Sequence, residues 1–372
     1  MTPTVSFVVP CYRLAHVLGE CLRSILAQTF HDLEILVMDD RSPDDTPQVV
    51  RSVDDPRVIH VRNEQNLGHL ANYNKGIGLA RGRYVWLISP DDSLLAPYVL
   101  ERFVELMEGA PRIGYVFCPV IPHVENRQVE LAPFWYSDPK DAVFPGPIFL
   151  RMLLRGNCVP APSAMVRRSC YERLGAFPLD LPFAGDWYLW CLFATAFDVG
   201  YLGEPMVRYR WHDTNMTHQL RRHDPRILLE DDLAVRWRIA RHLTSSGLAT
   251  EAEAWWSELA GCYVDQVAQR EQDAESGLSL GEAQSSWDRR ALGEGEQARI
   301  ASRVYTALGD RAFHRRQVRE ATAFYREALR ARPASAVAWL KYALARAGTP
   351  GAHVRKALTL ARHARGRNSS LR

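Results

Sequence analysis

The chain has 372 residues, 47% of them apolar and 24% charged, with a formal net charge of +3. That length exceeds a typical domain of ~100–150 residues and predicts two or more units, and the apolar fraction excludes a mainly disordered or fibrous chain. Lys and Arg against Asp and Glu number 20 and 25 in residues 1–220, 10 and 15 in 221–300, and 16 and 3 in 301–372, so near-neutrality conceals a C-terminal stretch of +13.

In chain order, residues 4–9 (TVSFVV) read as a β-branched strand ending at Pro10, and 17–26 as a helix with apolar residues at helical spacing. A strand at 34–38 runs into Asp39-Asp40, and 46–53 reads as a helix with Pro at its first turn. Strand 58–61, helix 70–80 and strand 84–88 follow, then Asp91-Asp92, a helix over 97–107 and a strand at 113–118. This alternation with fully apolar strands predicts an α/β fold, a mostly parallel sheet covered on both faces, with ligands at the rim of strand C-termini. Residues 121–146 lack a period and read as an active-site loop region. Order returns with a strand at 163–166, a helix at 187–197, and strands near 201 and 206–211.

From 225 onward the pattern is helical, with a Gly/Ser/Glu-rich break at 276–296. The final block places Tyr305, Leu308, Gly309, Ala312, Ala321, Tyr325, Ala328 and Pro333 at offsets that match the 34-residue tetratricopeptide helix–turn–helix, and Trp339 would open the next unit. The expected division is 1–220 for the α/β domain, 221–296 for a helical extension and linker, and 297–372 for a basic TPR-like domain.

No stretch approaches the ~18–20 apolar residues of a membrane span. The short apolar run at 5–9 has no basic region before it and does not read as a signal peptide. Seven unclustered cysteines without a C-x-x-C read as reduced, core-filling thiols. The expected location is cytoplasmic, with peripheral attachment to the inner face of the membrane left open.

Two acidic pairs at strand ends carry the chemistry. A carboxylate there costs stability unless it is solvated, caps a helix or binds something. One pair suits a divalent cation, which typically takes one or two carboxylates plus substrate phosphates. The other suits an N–H donor such as a base edge.

Over roughly residues 3–217 the chain resembles the family 2 glycosyltransferases, which have the nucleotide-binding GT-A fold. VSFVVPCYR is similar to the opening strand and P-x-Y-N turn of that family. ILAQTFHDLEILVMDDRSPDDT and NEQNLGHLANYNKGIGLARGRYVWLISPDD resemble its next two segments. LGAFPLDLPFAGDWYLWCLFA resembles V-G-G-F-D…E-D-x-D-L-W, and VRYRWHDTNMT the closing Y-R-x-H stretch.

The resemblance implies roles residue by residue. Pro10 and Tyr12 would form the turn whose ring stacks on the donor base, worth ~1–3 kcal/mol. Arg13 stands where Asn is common, within reach of a phosphate. Asp40 would accept from the base N–H, which favours uracil or thymine, with Asp39 orienting the turn and Ser42 and Asp45 capping the next helix. Asn66, Gly68 and Asn72 would shape the loop beneath ribose and diphosphate. Asp91-Asp92 occupies the D-x-D position, with Ser89 in place of the usual first Asp. Asp92 would be the ligand of Mg²⁺ or Mn²⁺, His212 a second ligand, and Asp91 a ribose or sugar contact. Asp186 would be the general base of an inverting displacement. Gly185 precedes it where the family has Glu. Trp187 and Trp190 suit either the acceptor cleft or the core.

The implied partners are a nucleotide-diphosphate sugar and a glycan or lipid-linked acceptor in surface polysaccharide synthesis. A protein partner or an anionic membrane surface suits residues 301–372. Nucleic acid is not expected, because no reading motif accompanies the charge. The competing readings are a nucleotidyltransferase, disfavoured by the PCYRLAH turn, and a catalytically inactive adaptor that works through its helical repeat.

Overall fold

The structure, a computed structural model, describes residues 2–124, 136–212, 215–223, 226–272, 277–289 and 293–346. The chain divides into two compact units, residues 1–252 and 253–372. The first unit opens with β1 (Val5–Cys11), α1 (Ala15–Leu26), β2 (Leu33–Asp39), α2 (Thr46–Ser52), β3 (Val58–Arg62), α3 (His69–Leu79) and β4 (Tyr84–Leu87). It continues with β5 (Ser93–Leu94), α4 (Val99–Gly109), β6 (Ile113–Phe117), β7 (Val120–Val124), β8 (Ala142–Phe144) and α5 (Gly146–Leu153). Then come β9 (Ala164–Arg167), α6 (Arg168–Leu174), α7 (Gly185–Ala194), β10 (Asp198–Tyr201), β11 (Val207–Trp211), α8 (Met216–His223) and α9 (Ile227–Ser245).

Eight strands form one sheet in the order β3-β2-β1-β4-β9-β6-β10-β8. The first four are parallel, and β10 is parallel to β6. β9 runs antiparallel between β4 and β6, and β8 antiparallel on β10. Six of the eight strands thus run the same way, as a mostly parallel sheet requires, and β9 and β8 are reversed. Apolar strand runs report burial on both faces and do not encode direction, so the sequence could not reveal the reversal of β9. A second, small sheet has the order β5-β11-β7.

β1 shows how the layers form. Val5, Phe7 and Val9 point into a core with Leu18, Leu22 and Ile25 of α1 and Phe103 of α4. Phe7 stacks on Trp86 of β4 at 5.4 Å, and Trp86 meets Phe103 at 4.4 Å. On the opposite face α3 comes so close that a Cβ on Gly76 would sit 2.4 Å from Val8. Alternation along a strand assigns these residues to opposite faces.

Residues 121–146 are more ordered than expected, since β7 and β8 occupy their two ends. The loop expected in between falls largely on 125–135, which lies outside the described residues. The cap of α2 also differs. Asp45 makes no side-chain cap bond. Asp44 accepts instead, from the Ser42 hydroxyl (2.5 Å), the Thr46 hydroxyl (2.6 Å) and the Ala15 amide (3.0 Å). All seven cysteines are free thiols, and six are buried.

From 227 onward every described element is a helix. α10 (Ala249–Gln272), α11 (Leu280–Arg289), α12 (Glu294–His314), α13 (Val318–Ala331) and α14 (Ala336–Arg346) complete the chain. α12 and α13 form a hairpin joined by 315–317. Small residues permit it: a Cβ on Gly309 would lie 2.5 Å from the Tyr325 ring. Ala312, Ala321, Tyr325 and Ala345 cluster beside it. Among the described residues no helix is long and apolar enough to cross a membrane.

Candidate active site

The parallel strands bring the C-terminal ends of β1, β2 and β4 to one rim, and strand order reverses direction between β1 and β4, where open α/β sheets bind ligands. Around the β1–β2 end, polar residues hold one another. Buried Asp39 accepts from the Ser42 amide (2.7 Å) through one oxygen, and from Arg62 (2.6 Å) and His60 (3.0 Å) through the other. Asp40, also buried, accepts from Asn63 and the Leu67 amide, each at 2.8 Å, and from the Gly68 amide at 3.0 Å. Three of its roughly four acceptor positions are therefore filled.

Asn66 donates to the Asp40 carbonyl (3.2 Å). Gly68 opens α3 at φ 80, a conformation that strains L side chains. Buried Asn72 donates to the Met38 carbonyl (2.9 Å) and accepts from Asn63 (2.9 Å). Tyr12 is 41% exposed, and the Arg13 guanidinium lies 5.3 Å from its ring centroid. Arg13 (φ 59) and Arg41 (φ 55) both adopt left-handed backbone beside this pocket, which non-glycine residues seldom do.

A cavity of about 820 Å³ opens beside this cluster, lined by Pro10, Tyr73, Ser89, Asp91, Asp92, Asn157, Asp186, Tyr209 and apolar walls that include Trp190 and Trp211. Of the residues singled out in the sequence, it gathers Pro10, Ser89, Asp91, Asp92, Gly185, Asp186, Trp187 and Trp190. Tyr12, Arg13, Asp40, Asn66, Gly68 and Asn72 group around the neighbouring turn instead.

Asp91 and Asp92 sit in the turn after β4, closed by the Asp92 amide on the Ser89 carbonyl (3.0 Å). One Asp91 oxygen accepts from His212 Nε2 (3.0 Å) and Asn215 (3.2 Å). The other is buried with no hydrogen-bond partner among the described residues. Asp92 accepts from the Arg210 amide (3.0 Å), while the Arg210 side chain donates to the Asp91 carbonyl (3.1 Å) and to Glu20 (2.6 Å). Burial, with the adjacent Asp91 charge, pushes the Asp92 carboxyl well above the usual carboxylate range. His212 thus braces Asp91.

Asp186 stands in the first turn of α7. It accepts from the Trp187 amide (2.7 Å) and from Asn157 (3.0 Å). Burial pushes its pKa up to about 6, against the lowering effect of those two bonds. Across the cavity, burial raises the Tyr73 and Tyr209 hydroxyls, and the charges of Asp91, Asp92 and Asp186 add to it in both. Both tyrosines therefore stand near all three carboxylates. Trp187 and Trp190 are buried; Trp187 donates to the Leu153 carbonyl (3.2 Å), and Trp190 packs on Tyr115 at 5.1 Å.

Sequence reasoning missed Asn157, Tyr73, Tyr209, Arg210 and Asn215. Tyr209, Arg210 and Asn215 lie inside the VRYRWHDTNMT stretch and Tyr73 inside NEQNLGHLANYNKGIGLARGRYVWLISPDD, so all four were available as motif neighbours. Asn157 sits between apolar residues with no pattern of its own, and only the fold brings it to Asp186.

The family described as Glycosyl transferase family 2 matches residues 6–175. An uncharacterized protein of Mycobacterium tuberculosis, MT1568, is 28% identical over 265 residues, 68% of this chain and 81% of that one. The succinoglycan biosynthesis protein ExoO of Rhizobium meliloti is 38% identical over 108 residues, 29% of this chain and 31% of that one. Among solved structures, S. aureus TarS residues 1–349 superpose with a TM-score of 0.58 at 18% identity, covering 86% of this chain and 89% of that one. The first unit thus has a GT-A-like fold, and the residues that match the family model fall within it.

Proposed function

We propose that the first unit transfers a sugar from a nucleotide-diphosphate sugar, UDP- or dTDP-linked, to a hydroxyl of a glycan or lipid-linked acceptor, with inversion at the anomeric carbon. The observation that carries this reading is one cavity holding the Asp91-Asp92 pair and a half-buried carboxylate, Asp186, whose pKa of about 6 suits a base near neutrality. In the reaction the acceptor oxygen bonds to the anomeric carbon and its proton passes to Asp186. The bond from that carbon to the diphosphate breaks, and the nucleotide diphosphate leaves with the electron pair. Tyr12 and Asp40 hold the base. TarS, similar in fold, is known in complexes with UDP and with UDP-GlcNAc, which supports such a donor.

The unpartnered buried oxygen of Asp91 beside Asp92 fits a divalent cation, Mg²⁺ or Mn²⁺. Asp91 and Asp92 would hold it, with His212 behind Asp91, and the ion would neutralise charge on the leaving diphosphate. The likeness to ExoO supports a place in polysaccharide biosynthesis. The hairpin of α12 and α13, with small residues at TPR-like offsets, supports a TPR-like second unit that docks a partner or membrane surface.

Nucleotide release measured across a donor panel, with and without Mn²⁺, tests the whole reading. Asp186→Asn is expected to cut transfer by about 10²–10⁴-fold while UDP binding, followed by calorimetry, stays nearly unchanged. Full turnover in that variant would remove Asp186 from the role of base.

A further inference from the structure

α9 lies beyond the residues that match the family, yet four of its polar side chains reach the elements that carry and surround Asp186. Asp231, 5% exposed, accepts two successive backbone amides through one oxygen, those of Phe183 (2.7 Å) and Ala184 (2.9 Å). These amides lie immediately before α7, and Ala184 is its N-terminal boundary residue. Amides at a helix start have no partner within the helix, so an external carboxylate there both satisfies them and complements the helix dipole. Arg236 donates to the Leu154 carbonyl (2.8 Å) and lies 5.1 Å over the Trp187 ring. Arg238 pairs with Asp180, and His242 meets the Thr195 hydroxyl at 3.3 Å.

We propose that Asp231 is a positioning residue for transfer: by clamping the two amides ahead of α7, it fixes where the Asp186 carboxylate stands against the acceptor hydroxyl. The proposal rests on Asp186 being the base. The charged and titratable groups around Asp186 include Arg236 and Asp232 of α9, Cys191 of α7, and His69, Tyr73, Asp91, Asp92 and Tyr209 of the cavity lining, with His69 Nε2 3.0 Å from the Pro182 carbonyl. None of them takes the Phe183 and Ala184 amides, so Asp231 has no substitute among the described residues. Without it the 180–184 segment loosens and water reaches Asp186.

The test uses the full-length chain with Asp231→Ala and Asp231→Asn. Carbon-13 NMR of labelled aspartate carboxyls, assigned with Asp186→Asn, follows the titration of Asp186. Calorimetry follows UDP binding, and UDP release from UDP-GlcNAc follows turnover. In Asp231→Ala the Asp186 titration is expected to move from about 6 toward 3.8. Turnover should fall about 10–100-fold, the scale of a 1 Å misplacement, with UDP affinity within about twofold. Asp231→Asn, whose amide oxygen still accepts both bonds, should recover most of the rate and the titration.

An unmoved titration in Asp231→Ala overturns the proposal. So does a variant in which UDP affinity and thermal stability fall along with turnover and the Asn form does no better, because that marks a purely structural role. The titration needs no substrate and decides the matter whichever donor is turned over. Full turnover in Asp186→Asn would instead overturn the base assignment.

Discussion

At Asp186, one carboxylate sets the expected pH response. With Asp186 as the proposed base, its raised pKa means the base form accumulates above pH 6, so kcat/KM should fall about tenfold per pH unit below about 6. The same shift has a stability consequence of opposite sign. A carboxyl raised from 3.8 to about 6 favours the folded state below the lower value, and that contribution is lost as pH rises through the upper one. Asp186→Asn should therefore gain melting temperature relative to the parent at pH 8 and lose that advantage near pH 4, as calorimetric scans would show. Asp44 behaves in the reverse sense. Burial alone would raise it, but hydroxyls of Ser42 and Thr46 and two amides hold it at about 2. Asp44→Ala should cost about 1 kcal/mol at neutral pH, the usual worth of such a helix-start acceptor, readable by urea unfolding. Gly185 has a steric reason as well: a Cβ there would lie 3.2 Å from Phe177 and 3.6 Å from Leu70. Gly185→Glu should displace Phe177 and lower stability by roughly 1–3 kcal/mol, readable by urea unfolding.

Among the elements, those with a strong period were legible. The strands at 4–9, 34–38 and 84–88 and the helix at 17–26 stand within one or two residues of expectation, because each presents an apolar face that burial rewards. The short pieces β5, β8, α5 and α6 escaped notice, since two to eight residues carry too few apolar positions to show a period. The helix read at 187–197 begins earlier, at Gly185, and ends at Ala194; its apolar run continues into the turn that leads to β10, where hydrophobicity reports burial rather than helix. Close element contacts yield a further prediction. Gly309→Ala would press on the Tyr325 ring, and overpacking of this kind should cost about 1–3 kcal/mol. The loss should fall on α12 and α13, seen as faster hydrogen exchange in their peptides, with UDP binding by the first unit unaffected.

For the whole molecule, charge is the feature that elements do not explain. Residues 301–372 carry 16 Lys and Arg against 3 Asp and Glu. The proposed docking to an anionic surface would use that excess at about 1 kcal/mol per basic residue near the membrane. Sedimentation with vesicles containing anionic lipid should thus weaken steeply with salt, and weaken again when Arg355, Lys356, Arg362, Arg365 and Arg367 are changed to Gln. Binding that ignores both changes would leave the positive charge as a solvated surface.

The sequence by itself determined the α/β class, the ordered acidic pairs at strand ends and the residues of the candidate base and cation pair, because periodicity and motif order are one-dimensional properties. Tertiary structure decided the rest. It reversed β9, moved the α2 cap from Asp45 to Asp44, turned His212 toward Asp91, and brought Asn157 and Asp231 to the segment around Asp186. The side-chain outcomes depend on which distant groups meet a carboxylate that must find partners. No local pattern encodes a contact between residues 157 and 186, or between 184 and 231.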